Sequence, residues 1–437
     1  MIVSGCAAYT ARPLRAPARQ ALRAPTQAAL ARAARTLKVP GLAPLKLDFR
    51  KPLTGQELGV IAVIANPALK ALRARERVAT AQVFAAGLLP NPVIQFSALK
   101  PYGVVGHTVA LTEGFLWDVS RLVTRSTAVR EARLHARSID YAVAWREWVA
   151  ANRTRLDARR LYWLRAESHL ARHAQRLWRR KVAVLVRDAR RHLIGGRRAA
   201  AFESAWDRLR LRVAALRRAR RRARFRLDAE LGLAPTARPL LAPPRPLPLP
   251  HASARTLFQR ATSDRLDLVA LVAAYHSADA GLLRAVLDQY PGLSIGPAGA
   301  RNTSGISQVG FQLSLSLPLF GAGRGPVAIA RARRATLFRD YVARLAYARA
   351  QIYRLHASAR DLTRELHGLE GRRQALGRLT RAADASYKAR ALGFLSYLRL
   401  ARELLRVRLQ IAGLRRLRAD TLVALQTATG TPWGGAA

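Results

Sequence analysis

Between residues 118 and 194 the chain contains neither proline nor glycine, so nothing in that stretch breaks a helix. Within it Leu122, Val129, Ala136, Val143, Ala150, Leu164, Ala171, Trp178 and Leu185 fall on one seven-residue register, interrupted only by Asp157. A sustained heptad of this kind is a packing seam between long helices. At ~1.5 Å per residue the rod would be roughly 115 Å long. Any fold that contains it must be elongated.

The rest of the chain is arranged around that rod, twice. Residues 11–52 are rich in Ala, Arg and Pro and predict a loosely held arm. A helical pattern over 55–88 ends at GLLPNP, and two short alternating runs follow, VIQFSAL at 93–99 and HTVALTEGF at 107–115. After the rod, Gly195-Gly196 stops the helix, a second helical run covers 197–231, and RPLLAPPRPLPLP at 238–250 reads as a stiff linker. The order then recurs. A helical run at 264–289 leads to LSIG at 293–296, a polar loop at 299–307 and VGFQLSLSLPLFGAGRG at 309–325. A long helical run follows at about 327–391, then a break at Gly393 and a last run at 396–428. Pro90 recurs as Pro291 and Gly196 as Gly393, an internal duplication with a period of roughly 200 residues. The implied organisation is an arm (1–53), a first repeat (54–233), a linker (234–253), a second repeat (254–430) and a tail (431–437).

The strand at 309–325 decides between two functions. GAGRG between a strand and a helix could cradle a phosphate, but its third glycine comes one residue early for G-x-G-x-x-G. A dinucleotide-binding first strand is also buried on both faces. Here Val309, Phe311, Leu313, Leu315, Leu317 and Leu319 share one face, against Gly310, Gln312, Ser314, Ser316 and Pro318. Ile94 with Phe96, and Val109 with Leu111, repeat the pattern in the first copy. Eleven residues match the ~9–11 that a tilted strand needs to cross a hydrocarbon layer. Tyr102, Phe115, Trp117, Tyr290 and Phe320 sit near strand ends, as an interfacial aromatic belt would. Four strands cannot close a barrel, and open edges are not tolerated in lipid. Three copies would supply twelve strands.

Composition narrows the alternatives. The chain of 437 residues carries 76 Lys plus Arg against 26 Asp plus Glu, for a formal charge of +50. Such a charge suits nucleic acid, anionic lipid or acidic partners, or reflects coding bias toward arginine. A chain this poor in acids should also lose little pairing at low pH, and a positive inner wall would disfavour cations. The single cysteine, Cys6, excludes an internal disulfide. No run approaches the ~20 uninterrupted apolar residues of a spanning helix, so any crossing would be as a barrel. His169 and His173 have i,i+4 spacing but no evident third ligand, and no catalytic or cofactor signature is present. We read the chain as no enzyme and as binding no cofactor. The rival function is a basic coiled coil that binds nucleic acid or acts as a scaffold, with LRRARRRARFRL at 216–227 as its best support.

The sequence resembles the TolC-type outer-membrane efflux proteins over about residues 54–430. The resemblance is carried by IANPALKALRARERVATAQVFAAGLLPNP, DRLDLVAL at 264–271, VGFQLSLSLPLFGAGRG and ARALGFLSYLRLARELL at 389–405. It implies a mainly α chain with a β-barrel portion: long antiparallel coiled-coil helices plus four transmembrane strands per chain. It implies a homotrimer with a twelve-stranded barrel and a periplasmic helical tunnel, in the outer membrane. Such a protein is the exit duct of a tripartite efflux or secretion system, partnered by a periplasmic adaptor and an inner-membrane pump, with no nucleic acid. The tip that meets the adaptor would lie around Gly195, Gly196, Gly393, Leu395 and Ser396. Gate acids are a feature of the family. The acids nearest the turns here, Asp188 and Asp384, each stand among arginines. Val3-Ser4-Gly5-Cys6 resembles a lipoprotein cleavage site, although the charged and apolar regions that normally precede one are missing. Either the start is placed late or the match is accidental.

Overall fold

The stretch without proline or glycine forms one continuous helix. The computed structural model describes residues 9–11, 14, 25–37, 39–103, 108–193, 195–233, 239–321 and 323–432. In chain order the elements are α1 (Gln27–Arg35), α2 (Gly55–Ala65), α3 (Pro67–Gly87), β1 (Val93–Leu99), β2 (Ala110–Asp118), α4 (Ser120–Arg190), α5 (Gly196–Glu230), α6 (Ala254–Asp264), α7 (Leu266–Leu287), β3 (Gly292–Arg301), β4 (Ser307–Ser316), α8 (Arg324–Lys388) and α9 (Phe394–Thr429). The two full rods, α4 and α8, have 71 and 65 residues, or roughly 100 Å each at helical rise. On α4 the heptad residues Val143, Ala150, Leu164, Ala171, Trp178 and Leu185 are buried. Leu122, Val129 and Ala136 are half-buried. Asp157, the polar interruption, is buried too, with its Oδ1 3.7 Å from Arg160 Nη1.

The helices form a single layer. In its upper half the lateral order is α3, α4, α7, α8; in its lower half it is α5, α4, α9, α8. The half-rods α3 and α5 therefore stack end to end along one side of α4, and α7 and α9 stack between α4 and α8. The shorter helices α1, α2 and α6 pack against this layer near its middle, where α2 is almost wholly buried. Its N-terminus is a capping box: Glu57 N–H donates to Thr54 Oγ1 at 3.2 Å, and Thr54 N–H donates to Glu57 Oε2 at 2.7 Å.

One of the helical runs inferred from sequence is in fact broken, and a short helix, α6, lies outside the inferred runs. The run at 55–88 kinks at Asn66, which ends α2 and accepts from Ala68 N–H at 2.9 Å, with Pro67 opening α3. The run at 264–289 is α7 and is continuous; before it lies α6, absent from the sequence reading, capped by Ser253 and joined to α7 through a kink at Arg265. The kinks are held alike. Gly232 and Gly430, each just after a returning half-rod, have φ of 59° and 83°. A Cβ on Gly232 would lie 2.7 Å from the Ala65 carbonyl oxygen, and one on Gly430 would lie 2.9 Å from that of Asp264. Only glycine fits both the left-handed backbone and the close approach.

The distal turns are also a matched pair, and the glycines do not make them. Helix α4 ends with His192 N–H donating to the Ala189 carbonyl and Leu193 N–H to that of Asp188; α8 ends with Arg390 to Tyr387 and Ala391 to Ser386. These are Schellman closures. Their left-handed residues are His192 and Arg390, with φ of 59° and 60°. Gly195 and Gly393 instead take extended backbone as N-caps of the returning helices. A left-handed non-glycine residue costs ~1–2 kcal/mol. His192→Gly and Arg390→Gly should therefore each raise the thermal unfolding midpoint, read by far-UV circular dichroism; a fall at both would contradict the strain assignment.

One helix corrects the reading that no segment is apolar enough to span a membrane. Among the described helices α7, with 22 residues, has that length and apolarity. It is packed laterally between α4 and α8 through Leu268, Ala270, Ala273, Ser277 and Ala280, while Val272, Leu283 and Val286 stay exposed. The strands form one antiparallel sheet in the order β1-β2-β3-β4, at one end of the layer, with β1 and β4 as its edges.

Candidate functional site

Register assigns every strand residue to one of two faces. Ile94 pairs with Phe115, Phe96 with Glu113 and Ala98 with Leu111; Trp117 pairs with Ile295; Ile295 with Leu313, Pro297 with Phe311 and Gly299 with Val309. Directly opposed residues share a face. That face is apolar apart from Glu113, Arg301 and Ser307, which lie toward the loop end of the sheet. Its largest side chains are uncovered: Val309, Phe311 and Leu313 are 92%, 93% and 68% exposed. The other face carries Gln95, Ser97, Thr112, Ser294, Gln308, Gln312, Ser314 and Ser316 among glycines and alanines, with Val93, Leu99, Leu116 and Asp118 toward its ends.

The sheet is curved, with its polar face inside the curve. Gln312 Nε2, on one edge strand, donates to Gln95 Oε1, on the other, at 3.0 Å. Three interstrand spacings separate those strands, about 14 Å in a flat sheet. The bond passes over Gly114, where a Cβ would meet Gln312 Oε1 at 2.8 Å. A curved wall, polar within and apolar without, is the cross-section of a barrel segment.

The strand-end residues are placed as follows. Val109 precedes β2, because Thr108 bonds the Thr303 carbonyl in the β3–β4 loop and not β1. Leu317 and Leu319 lie beyond β4: Pro318 has no N–H for the ladder, and Leu319 N–H turns back to the Leu317 carbonyl at 2.9 Å. These three therefore correct the sequence-derived strand bounds. Ile94, Phe96, Leu111, Val309, Phe311, Leu313 and Leu315 lie within strands on the apolar face. Trp117, Tyr290 and Phe320 gather at the helix-side end of the sheet and Tyr102 at the loop end, while Phe115 is inside β2. Trp117 has a structural duty, since its Nε1 donates to the Pro90 carbonyl at 2.8 Å. Cys6 lies outside the described residues.

Below the sheet the helical layer is curved in its turn. A cavity of about 910 Å³ is bounded by all four upper helices, among them Gln82 of α3, Ala128, Glu131 and His135 of α4, Ser277 of α7, and Ala332 and Thr336 of α8. Helices at opposite edges of a layer can border one cavity only on its concave side. That side is lined mainly by alanine and hydroxyl side chains, with Arg333 and a Glu131–Arg284 ion pair at 2.8 Å. A second groove is lined by Ser126, Arg130, Arg133, Leu134 and Arg137 of α4 and His276 of α7. At ~100° per residue these positions point about 180° from Ala128, Ala132 and His135. Of the arginines that line these two surfaces, Arg130, Arg133 and Arg137 are on the convex side and Arg284 and Arg333 on the concave side.

At the far end both distal turns meet. Trp178, Val182 and Leu185 of α4, Phe202 of α5 and Leu398 of α9 form a cluster against which Phe394, Leu395 and Tyr397 pack. Tyr387 stacks on Tyr397 with centroids 5.6 Å apart, and Lys181 Nζ donates to the Tyr397 hydroxyl at 3.0 Å. Of the two acids there, Asp384 lies 2.7 Å from Lys388 Nζ, and the hydrogen bond from that ammonium, aided by the Tyr397 hydroxyl, holds its carboxyl below the usual range. Asp188 lies 3.5 Å from Arg187 Nε. Ser396 N–H closes on the Gly393 carbonyl, and Gly195 and Gly196 stand in open space.

Buried carboxylates near the middle of the layer set the response to acid. Burial pushes Asp157 up, with Arg160 pulling the other way less strongly. Burial likewise raises Asp420, although Arg160 Nε and Nη2 donate to it at 3.2 and 3.1 Å. A carboxyl raised on folding is protonated in the native state before the unfolded one. Stability is then lost as pH rises through the window between the ordinary carboxylate value and the raised one, and gained as pH falls through it. Asp384 acts oppositely but is exposed. Acidification from pH 7 toward pH 5 should therefore leave the unfolding midpoint level or higher, and Asp157→Asn should raise it more at pH 7 than at pH 4. A midpoint that falls steadily from pH 7 would refute this.

No protein-family profile matches the sequence, and no curated protein matches it by sequence comparison. Solved structures match over nearly its whole length. The outer-membrane channel OprN superposes with a TM-score of 0.71 at 16% identity, covering 91% of this chain and 96% of that one. The outer membrane protein VceC from Vibrio cholerae gives 0.69 at 17%, covering 86% and 96%. The Neisseria gonorrhoeae MtrE outer membrane channel, in its open state, gives 0.70 at 18%, covering 86% and 89%. The fold is that of the TolC-type outer-membrane channels, a long helical wall that carries a segment of β-barrel.

Proposed function

We propose that this chain is an outer-membrane exit duct: a homotrimer whose three curved sheets close a twelve-stranded barrel above a continuous helical tunnel, through which cargo passes from the periplasm to the outside. The observation that carries the reading is the four-stranded sheet itself. It has two open edges, an uncovered apolar convex face and a polar concave face bridged by Gln95 and Gln312. Edges and apolar face are both costly in water, and both are satisfied by two further copies in a bilayer. Leu313, Phe311 and their neighbours would then face lipid, and the aromatic residues at the two ends of the sheet would mark the interfaces. In this reading the duct is a passive conduit. Energy and selection fall to partners at the distal turns, a periplasmic adaptor and an inner-membrane pump. Acylation of Cys6 would add an anchor.

The basic coiled-coil alternative leaves the curved amphipathic sheet without a purpose. Extraction and reconstitution separate the two. The duct reading expects a detergent-solubilised trimer, retained in membranes at high salt, that gives discrete conductance steps in planar bilayers. Release by salt alone as a monomer without conductance would refute it.

A further inference from the structure

The convex groove on α4 and α7 has chemistry that the duct does not use. Arg130, Arg133 and Arg137 of α4 and His276 of α7 line about 460 Å³ of open space, and no carboxylate lines it. The chain has far fewer acids than bases, and its acids are placed elsewhere, as Asp279 is beside Arg334 at 2.7 Å. None of the three α4 arginines is within ion-pair distance of a carboxylate among the described residues. Three guanidinium groups at i, i+3 and i+7 on one helix face repel each other unless an anion joins them. Between this groove and the sheet the same convex face is apolar, with Val123 and Leu283 71% and 48% exposed.

That sequence of surfaces, an apolar strand face, an apolar collar and then an arginine cluster, follows the polarity of a bilayer leaflet from core to headgroup. Arg130 lies ten residues into α4, about 15 Å below its start. Because a helical Cβ points toward the helix N-terminus, its side chain reaches back toward the sheet. Arginine presents a planar fork that matches phosphate geometry.

We infer that Arg130, Arg133, Arg137 and His276 form a site for a phosphate-bearing anion on the outer face of the tunnel wall, taken by the headgroups of anionic phospholipid. The assignment to lipid rests on the duct reading, which places the adjoining sheet in the membrane. It makes the helical wall just below the barrel a second point of membrane attachment, electrostatic where the first is hydrophobic.

The test uses the purified full chain in detergent. Lipid retention is read by native mass spectrometry after exposure to phosphatidylglycerol or phosphatidylcholine, with inorganic phosphate as a competitor in a separate arm. Expected is preferential retention of phosphatidylglycerol, weakened about fivefold for each arginine changed to glutamine at 130, 133 and 137. A control triple variant, Arg217→Gln, Arg218→Gln and Arg222→Gln on α5, should retain lipid as the parent does. Equal loss in both triple variants would mean a generic charge effect and would overturn the site. Displacement by millimolar inorganic phosphate, with no preference between the two lipids, would overturn the headgroup assignment in favour of a free anion. Conductance recorded on the same preparations reports the duct independently, so a silent channel and an unoccupied groove are separate failures.

Discussion

Arg265→Ala is expected to cost ~3–5 kcal/mol of stability, the range for removing one partner of a buried ion pair. Arg265 is 2% exposed. Its Nε and Nη2 donate to the two oxygens of Asp267 at 3.0 and 2.8 Å, and Nη1 donates to the Ala428 carbonyl at 2.9 Å and to Gln351 Oε1 at 3.3 Å. The guanidinium carbon also lies 4.7 Å from the Trp145 ring centroid. One side chain thus joins the start of α7 to α4, α8 and the end of α9, at the kink where the half-rods meet. Without it the Asp267 carboxylate is buried with only Arg344, 3.9 Å away, for a partner. The loss should appear as a lowered thermal midpoint of the helical signal. The double variant Arg265→Ala, Asp267→Ala should cost less than the two single changes summed, because the stranded charge is gone. An additive pair would show that the salt bridge is not what holds the kink. Arg334→Ala, at the exposed pair with Asp279, should change little.

How much of this was legible in the sequence depended on whether the signal was periodic. The α4 seam could be read because residues seven apart had to pack on the same neighbours, and even its exception, Asp157, is accommodated in the packed register by Arg160. The strands were legible by alternation, and the duplication by the recurrence of breakers. The kinks at Asn66 and Arg265 were not, since each is fixed by distant backbone, Glu230 and Ala428, and the first lies inside an apolar pattern. The start of α2 at Gly55 was placed by the sequence, and the capping box at Thr54–Glu57 is the local interaction that fixes it. The distal turns were misattributed because glycine is the usual left-handed residue, whereas here His192 and Arg390 take that conformation. The strand ends near Val109 and Pro318 failed for a related reason: side-chain alternation continues past the point where ladder hydrogen bonds stop. The sidedness of the arginines could not be read from composition. It depends on which face of α4 is concave, and only the neighbouring helices settle that.

Leu313→Arg should remove the protein from the membrane fraction, while Ser314→Arg, the next residue, should not. Leu313 lies near the middle of the β3–β4 ladder on the apolar face, paired with Ile295; Ser314 points to the polar face beside Ser294. A charge on the lipid side of a barrel near the bilayer midplane costs ~2–4 kcal/mol per chain, falling toward zero at the interfaces. In the proposed trimer that cost would be repeated in every copy. Arginine at 314 would stand in water inside the barrel and leave insertion intact. It would instead add three positive charges to a lumen whose sheet residues are nearly all uncharged, shifting ion selectivity toward anions. The pair of variants therefore reads the two faces separately: membrane yield and trimer content for Leu313→Arg, reversal potential in a salt gradient for Ser314→Arg. If Leu313→Arg inserts as well as the parent, or if the two variants behave alike, the apolar face is not the lipid face, and the curved sheet is not a wall of a pore.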